Sequence, residues 1–159
     1  MNLLLMMPGG SEWILIILFI LIPILLLPGI FFLITLQKTL QAISPENRRM
    51  PPANVWLMLI PLFNIVWQFI MVDKIAESIA AECTKLNIQR SDPKPTYNIG
   101  LAWNICNILT FIPFVGLAAL VTFILYWVKV AEFKNIIINN RNNYMLDAER
   151  NIFHGDRAL

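Results

Sequence analysis

From Trp13 to Leu36 the chain runs for 24 residues with Thr35 as its only polar side chain. Coiled as a helix, this block reaches about 36 Å, more than the roughly 30 Å of hydrocarbon in a bilayer. A soluble domain of 159 residues could not enclose several blocks of this kind. Composition agrees: soluble domains carry about 45–50% apolar and about 25% charged residues, and here the shares are 58% and 14%. The chain reads as an all-α integral membrane protein.

The first block reads as a retained helix and not as a removable signal. No Lys or Arg precedes it, it is longer than a signal core, and no A-x-A site follows it. Ser11 suits an N-cap, with Glu12 in the first turn. Pro23 and Pro28-Gly29 predict a kinked span, in preference to a broken, ligand-binding helix. Gln37–Ile43 continues the helix into the interface, and Ser44-Pro45-Glu46-Asn47 has turn chemistry.

Three further hydrophobic segments follow, giving four in all: 13–36, 53–72, 98–112 and 115–130. The second opens after Pro51-Pro52 and contains Pro61, Asn64 and Gln68. It runs without a breaker into an amphipathic stretch, 73–86. There Val72, Ile75, Ala76, Ile79, Cys83 and Leu86 share one helical face, while Asp73, Lys74, Glu77, Ser78 and Lys85 fall mainly on the other. This stretch is expected to lie on the membrane or on a partner. Asn87–Thr96 is the clear soluble loop. Ile99–Val128 is too long for one upright crossing, so a tight helical hairpin is expected, turning at Ile112–Gly116 with Pro113 and Gly116 as breaks. Asn139–Asn143 reads as a helix stop inside a tail, 131–159, with a short surface helix over Tyr144–Phe153.

The halves echo one another. Ile60-Pro61-Leu62-Phe63-Asn64 matches Ile112-Pro113-Phe114-Val115-Gly116, and Lys74-Ile75-Ala76-Glu77 matches Lys129-Val130-Ala131-Glu132. If the second Ile-Pro is a turn, the first is a candidate turn as well. Charge weighs the two topologies. With four crossings and both termini cytoplasmic, nine Lys and Arg lie inside and three outside; if 53–72 enters and returns at Pro61–Asn64, all twelve lie inside. Twenty apolar residues match one span, whereas arms of about 9 residues reach only about 14 Å. Four crossings are therefore the expectation. Both arrangements place the C-terminus in the cytoplasm.

Several functions are disfavoured. A net charge of +2, without a basic stripe beside stacking aromatics, argues against nucleic acid. Cys83, Cys106 and the single His154 write neither a zinc site nor a disulfide framework; the thiols read as buried small apolar groups. No ionisable residue lies mid-span, which disfavours ion-coupled transport and a charged-ring channel. No nucleophile, acid or base is evidently paired, and no cofactor motif is present. Asp73 and Glu77, beside Lys74, read as a solvated helix end. The five tryptophans read as interfacial anchors or packing groups rather than a binding cage. The candidate polar cluster is Asn64 and Gln68 on one helix face with Asn104 and Asn107 on another, lining a solute path or bonding between helices.

The run Pro52-Ala53-Asn54-Val55-Trp56-Leu57-Met58-Leu59-Ile60-Pro61-Leu62-Phe63-Asn64, followed by a charged helix, resembles a segment of small bacterial multi-pass membrane proteins of unknown function. These carry a Trp…Pro-x-x-Asn stretch before an amphipathic helix. The resemblance covers residues 51–80. Met58 stands where that pattern has a Trp, and Gln68 where it has a second Pro. It implies a bacterial inner-membrane protein with about four hydrophobic segments. The functional expectation is a non-enzymatic accessory or scaffold subunit, in contact with membrane lipids and with a membrane-protein partner or a second copy of itself. The alternative is a small oligomeric pore or carrier for an uncharged or amphipathic solute.

Overall fold

A computed structural model describes residues 10–109 and 115–155. Its regular elements are all helical: α1 (Gly10–Ala42), a short 3-10 turn α2 (Pro45–Asn47), a 3-10 arm α3 (Pro52–Leu59), α4 (Phe63–Lys85), α5 (Tyr97–Ile108) and α6 (Val115–Gly155). The chain divides into two units, Met1–Ile34 and Thr35–Leu159. Of the first, the described part is helix, continuous through Pro23 and Pro28. The second holds everything that follows.

The second hydrophobic segment does not form one helix. Pro51-Pro52 leads into the 3-10 arm, the backbone turns at Ile60–Leu62, and α4 starts at Phe63. Pro61 has no N–H to donate, and the preceding residue is pushed toward extended geometry; Ile60 accordingly sits at φ −80°, ψ 112°. The Asn64 N–H closes the turn by donating to the carbonyls of Ile60 (2.9 Å) and Pro61 (3.0 Å). Arm and helix then run antiparallel. The Trp67 indole N–H donates to the Asn54 carbonyl at 3.0 Å, and farther from the turn the Arg49 N–H donates to Ser78 Oγ at 2.8 Å. The expectation that 53–72 spans as one helix gives way to its alternative, a Pro61 turn.

The amphipathic stretch is the second half of α4, and its apolar face lies inside the protein. Met71, Val72, Ile75, Ala76, Ile79 and Cys83 are all buried, so this face is not free for membrane or partner. Ser78, placed above on the polar side, is buried too; its hydroxyl donates to the Lys74 carbonyl at 2.7 Å. α4 ends in a Schellman motif. Asn87 adopts φ 52°, the Ile88 N–H reaches the Cys83 carbonyl (2.8 Å), and the Asn87 N–H reaches that of Thr84 (3.3 Å).

α5 and α6 pack on each other, as a hairpin requires. The residues joining them, 110–114, lie outside those described, and Pro113 with them; Gly116 is exposed in the first turn of α6. Gly100 on α5 sits at a close approach of α4, α5 and α6. A Cβ there would stand 2.6 Å from Val72 Cγ1 on α4 and 2.8 Å from Tyr126 Cε2 on α6. Trp103 stacks on Tyr126, with centroids 5.7 Å apart. α6 runs without interruption through Asn139–Asn143, so the expected stop is absent and 131–155 continues the same helix. Among the described residues, one helix stretch, Val115–Arg150, is long and apolar enough to cross a membrane.

Candidate functional site

Three polar clusters stand out, and the sequence pointed to two of them. The first, which the sequence did not point to, centres on Glu82, which is fully buried. Its position continues the apolar face of α4, three residues after Ile79 and seven after Ile75. The carboxylate accepts from Ser44 N (3.1 Å), Ser44 Oγ (2.9 Å), Asn47 Nδ2 (2.7 Å) and an Arg141 guanidinium nitrogen (2.8 Å). Lys85 Nζ donates to Ser44 Oγ at 3.0 Å and to Glu46 at 2.6 Å. Burial pushes the Glu82 carboxyl up, but the bonds from Asn47, Arg141 and Ser44 outweigh it and hold the group below the ordinary carboxylate range. One ionised carboxylate thus ties the turn after α1, the end of α4 and the distal part of α6 together. A cavity of about 380 Å³ opens beside it, lined in part by Glu46, Lys85, Arg141, Tyr144 and Met145.

Each oxygen of Glu82 is met by two donors from within the protein. The signal available in the sequence was a carboxylate on an otherwise apolar stripe, a placement that occurs when the charge is paired. Its partner, Arg141, was hidden inside the run of asparagines read as a stop.

Asp73 and Glu77 form the second cluster. Lys94 Nζ lies 2.9 Å from Asp73 and 3.2 Å from Glu77, and Lys74 Nζ lies 3.1 Å from Glu77. The bonds from Lys74 and Lys94 lower the Glu77 pKa, and those to Asp73 and Glu77 raise that of Lys94. This is a charged, part-exposed helix face, as the spacing predicted. Arg49 and Arg90 extend it into an open groove of about 540 Å³.

The third cluster is the amide set. The structure joins Gln68 and Asn107, the Asn107 amide donating to Gln68 Oε1 at 3.4 Å. Gln68 is buried and Asn107 is exposed. Asn104 is fully buried, and neither of its side-chain polar atoms finds a hydrogen bond among the described residues; the same holds for Asn64 Oδ1. Asn64 and Gln68 share α4, and Asn104 and Asn107 share α5.

Four tryptophans have packing or bonding roles. Trp56 donates to Gln37 Oε1 (2.8 Å), Trp67 to Asn54, and Trp127 to Thr35 Oγ1 (3.0 Å), while Trp103 stacks on Tyr126. The Trp13 side chain lies outside those described. Cys83 is buried, and burial raises its thiol pKa; Cys106 is half-buried. No family model, curated protein or solved structure matches this chain.

Proposed function

We propose that the chain is a non-enzymatic, multi-pass protein of the bacterial inner membrane, an accessory or scaffold subunit that offers helix faces to a membrane partner or to a second copy. The observation that carries this reading is the outer face of α6. Leu117, Leu120, Val121, Ile124, Leu125 and Val128 recur at helical spacing and are each 48–66% exposed, opposite the buried stripe of Ala119, Tyr126 and Val130. An exposed apolar stripe of this length suits lipid or another helix, not water. Leu59, Ile60, Leu62, Phe63, Ile65 and Val66 carry the same exposed apolar character around the Pro61 turn.

In this reading 53–72 enters and returns on the cytoplasmic side. That places all twelve Lys and Arg in the cytoplasm together with the C-terminus, the most asymmetric distribution the positive-inside rule allows. The antiparallel arm and helix support it. So does arm length, because eight residues of 3-10 helix extend only about 16 Å.

The test is single-cysteine labelling in a background with Cys83 and Cys106 replaced by Ala. Cysteines at Glu46 and Ser91 should react with an impermeant maleimide only after permeabilisation, and one at Asn2 should react from outside. External labelling at Glu46 would restore four crossings. Release of the protein by alkaline carbonate would overturn the membrane reading itself.

A second reading, a small oligomeric pore or carrier for an uncharged or amphipathic solute, is favoured by one observation: the Gln68–Asn107 amide pair reaches an exposed position. Replacing Asn64 and Gln68 by Leu should change solute flux in reconstituted vesicles if this reading holds. The same change should leave an accessory role intact.

A further inference from the structure

We infer that the open groove along α4 and the loop between α4 and α5 binds the phosphate of an anionic lipid headgroup. The inference rests on the membrane reading above for the source of the phosphate, but not for its chemistry. Three segments converge on the groove: Arg49 from the stretch before the arm, Lys74 from α4, and Arg90 and Lys94 from the loop. Ala80 and Ala81 leave its floor low, and the space measures about 540 Å³.

Four cationic side chains face two carboxylates, Glu77 in the groove and Asp73 beside it. Those carboxylates are already engaged by Lys74 and Lys94. The Arg49 guanidinium makes no hydrogen bond or ion pair to any described residue, although its backbone is held by Ser78. Arg90 is anchored by donating to the Ala80 carbonyl. The groove therefore holds a surplus of positive charge on a preformed frame, and an unengaged guanidinium of the kind that takes phosphate oxygens in pairs.

Depth argues for a lipid as the source. The last exposed large apolar residue of α4 before its charges is Ile70, and Lys74 follows one turn later, about 6 Å along the axis. The headgroup layer is about 5–8 Å thick on each side of the hydrocarbon.

The experiment uses the full chain in a neutral detergent, incubated with equal amounts of phosphatidylglycerol and phosphatidylcholine and read by native mass spectrometry. The wild type should retain phosphatidylglycerol preferentially. Arg49→Gln should weaken that retention roughly tenfold, the loss expected for one charge-assisted hydrogen-bonding group. This variant keeps the backbone bond to Ser78, and a matched thermal melt verifies its fold. Arg150→Gln, which removes an equal charge elsewhere, should retain as much lipid as the wild type. Equal retention of the two lipids, or equal losses in the two variants, overturns the proposal. Displacement by inorganic phosphate in an Arg49-dependent manner would keep the phosphate chemistry and overturn the lipid as its source. Carbonate extraction reports on the membrane reading independently, so the two failures are distinguishable.

Discussion

Glu82 shows how much one side chain can organise. Its four accepted hydrogen bonds come from the turn after α1 and from α6. Glu82→Gln keeps the shape but leaves Arg141 without its counter-charge. Breaking a buried pair costs about 3–5 kcal/mol; because Arg141 is one-third exposed, we expect about 2 kcal/mol, measured by chemical unfolding in detergent micelles. The pH dependence has a definite sign. The folded carboxyl titrates below its unfolded value of about 4.3. Its stabilisation is therefore complete above that pH and is lost as pH falls through the folded value. The gap between wild type and Glu82→Gln should be full at neutral pH and should shrink below about pH 4.3. Asn104 is the opposite case. Its buried amide has no partner among the described residues, so Asn104→Leu, which removes the unmet polar atoms at similar volume, should stabilise by about 1–3 kcal/mol. A lowered melting temperature would mean that the amide is engaged in the folded protein.

Among the elements, the α4–α5–α6 junction depends on an absent side chain. A Cβ on Gly100 would meet Val72 and Tyr126 at under 3 Å, and neither a β-branched methyl nor an aromatic ring edge can swing away cheaply. Gly100→Ala should cost about 1–3 kcal/mol, read as a lower melting temperature, whereas Gly116→Ala, with no heavy atom within 4 Å, should not lower it. The break at Ile60-Pro61 was legible as a possibility because proline lacks a donor, yet Pro23 and Pro28 lie within a continuous helix, so the residue type alone does not decide it. That the break is a turn depends on Trp67 reaching Asn54 and on Arg49 reaching Ser78. Those partners are 13 and 29 residues apart, beyond any local pattern. The asparagine run before Tyr144 failed as a stop because Asn has only a weak preference against helix. The Arg141 contact to Glu82 offsets such a preference.

At the scale of the molecule, the outer stripe of α6 separates a membrane protein from a soluble helical one. Val121→Arg places a charge in that stripe. In a bilayer this costs about 2.5–3.5 kcal/mol near the centre of a span, and the protein should accumulate poorly in the membrane fraction, as quantified by immunoblot. On a water-facing surface the same change would be nearly neutral, so unchanged accumulation would argue against lipid contact there. Ser91→Arg, in the exposed loop, serves as the control.

Sequence alone determined the helical class, the apolar blocks, the turn at Ser44–Asn47, the soluble loop and the charged face of Asp73 and Glu77. Each follows from composition, period or backbone chemistry within a few residues. Tertiary structure alone decided that 53–72 folds back, that the apolar face of α4 is covered by its own chain, and that Glu82 is buried. Those outcomes depend on which distant segment arrives to satisfy a group. A carboxylate on an apolar stripe is costly or stabilising according to whether Ser44, Asn47 and Arg141 meet it, and only the folded chain brings them there.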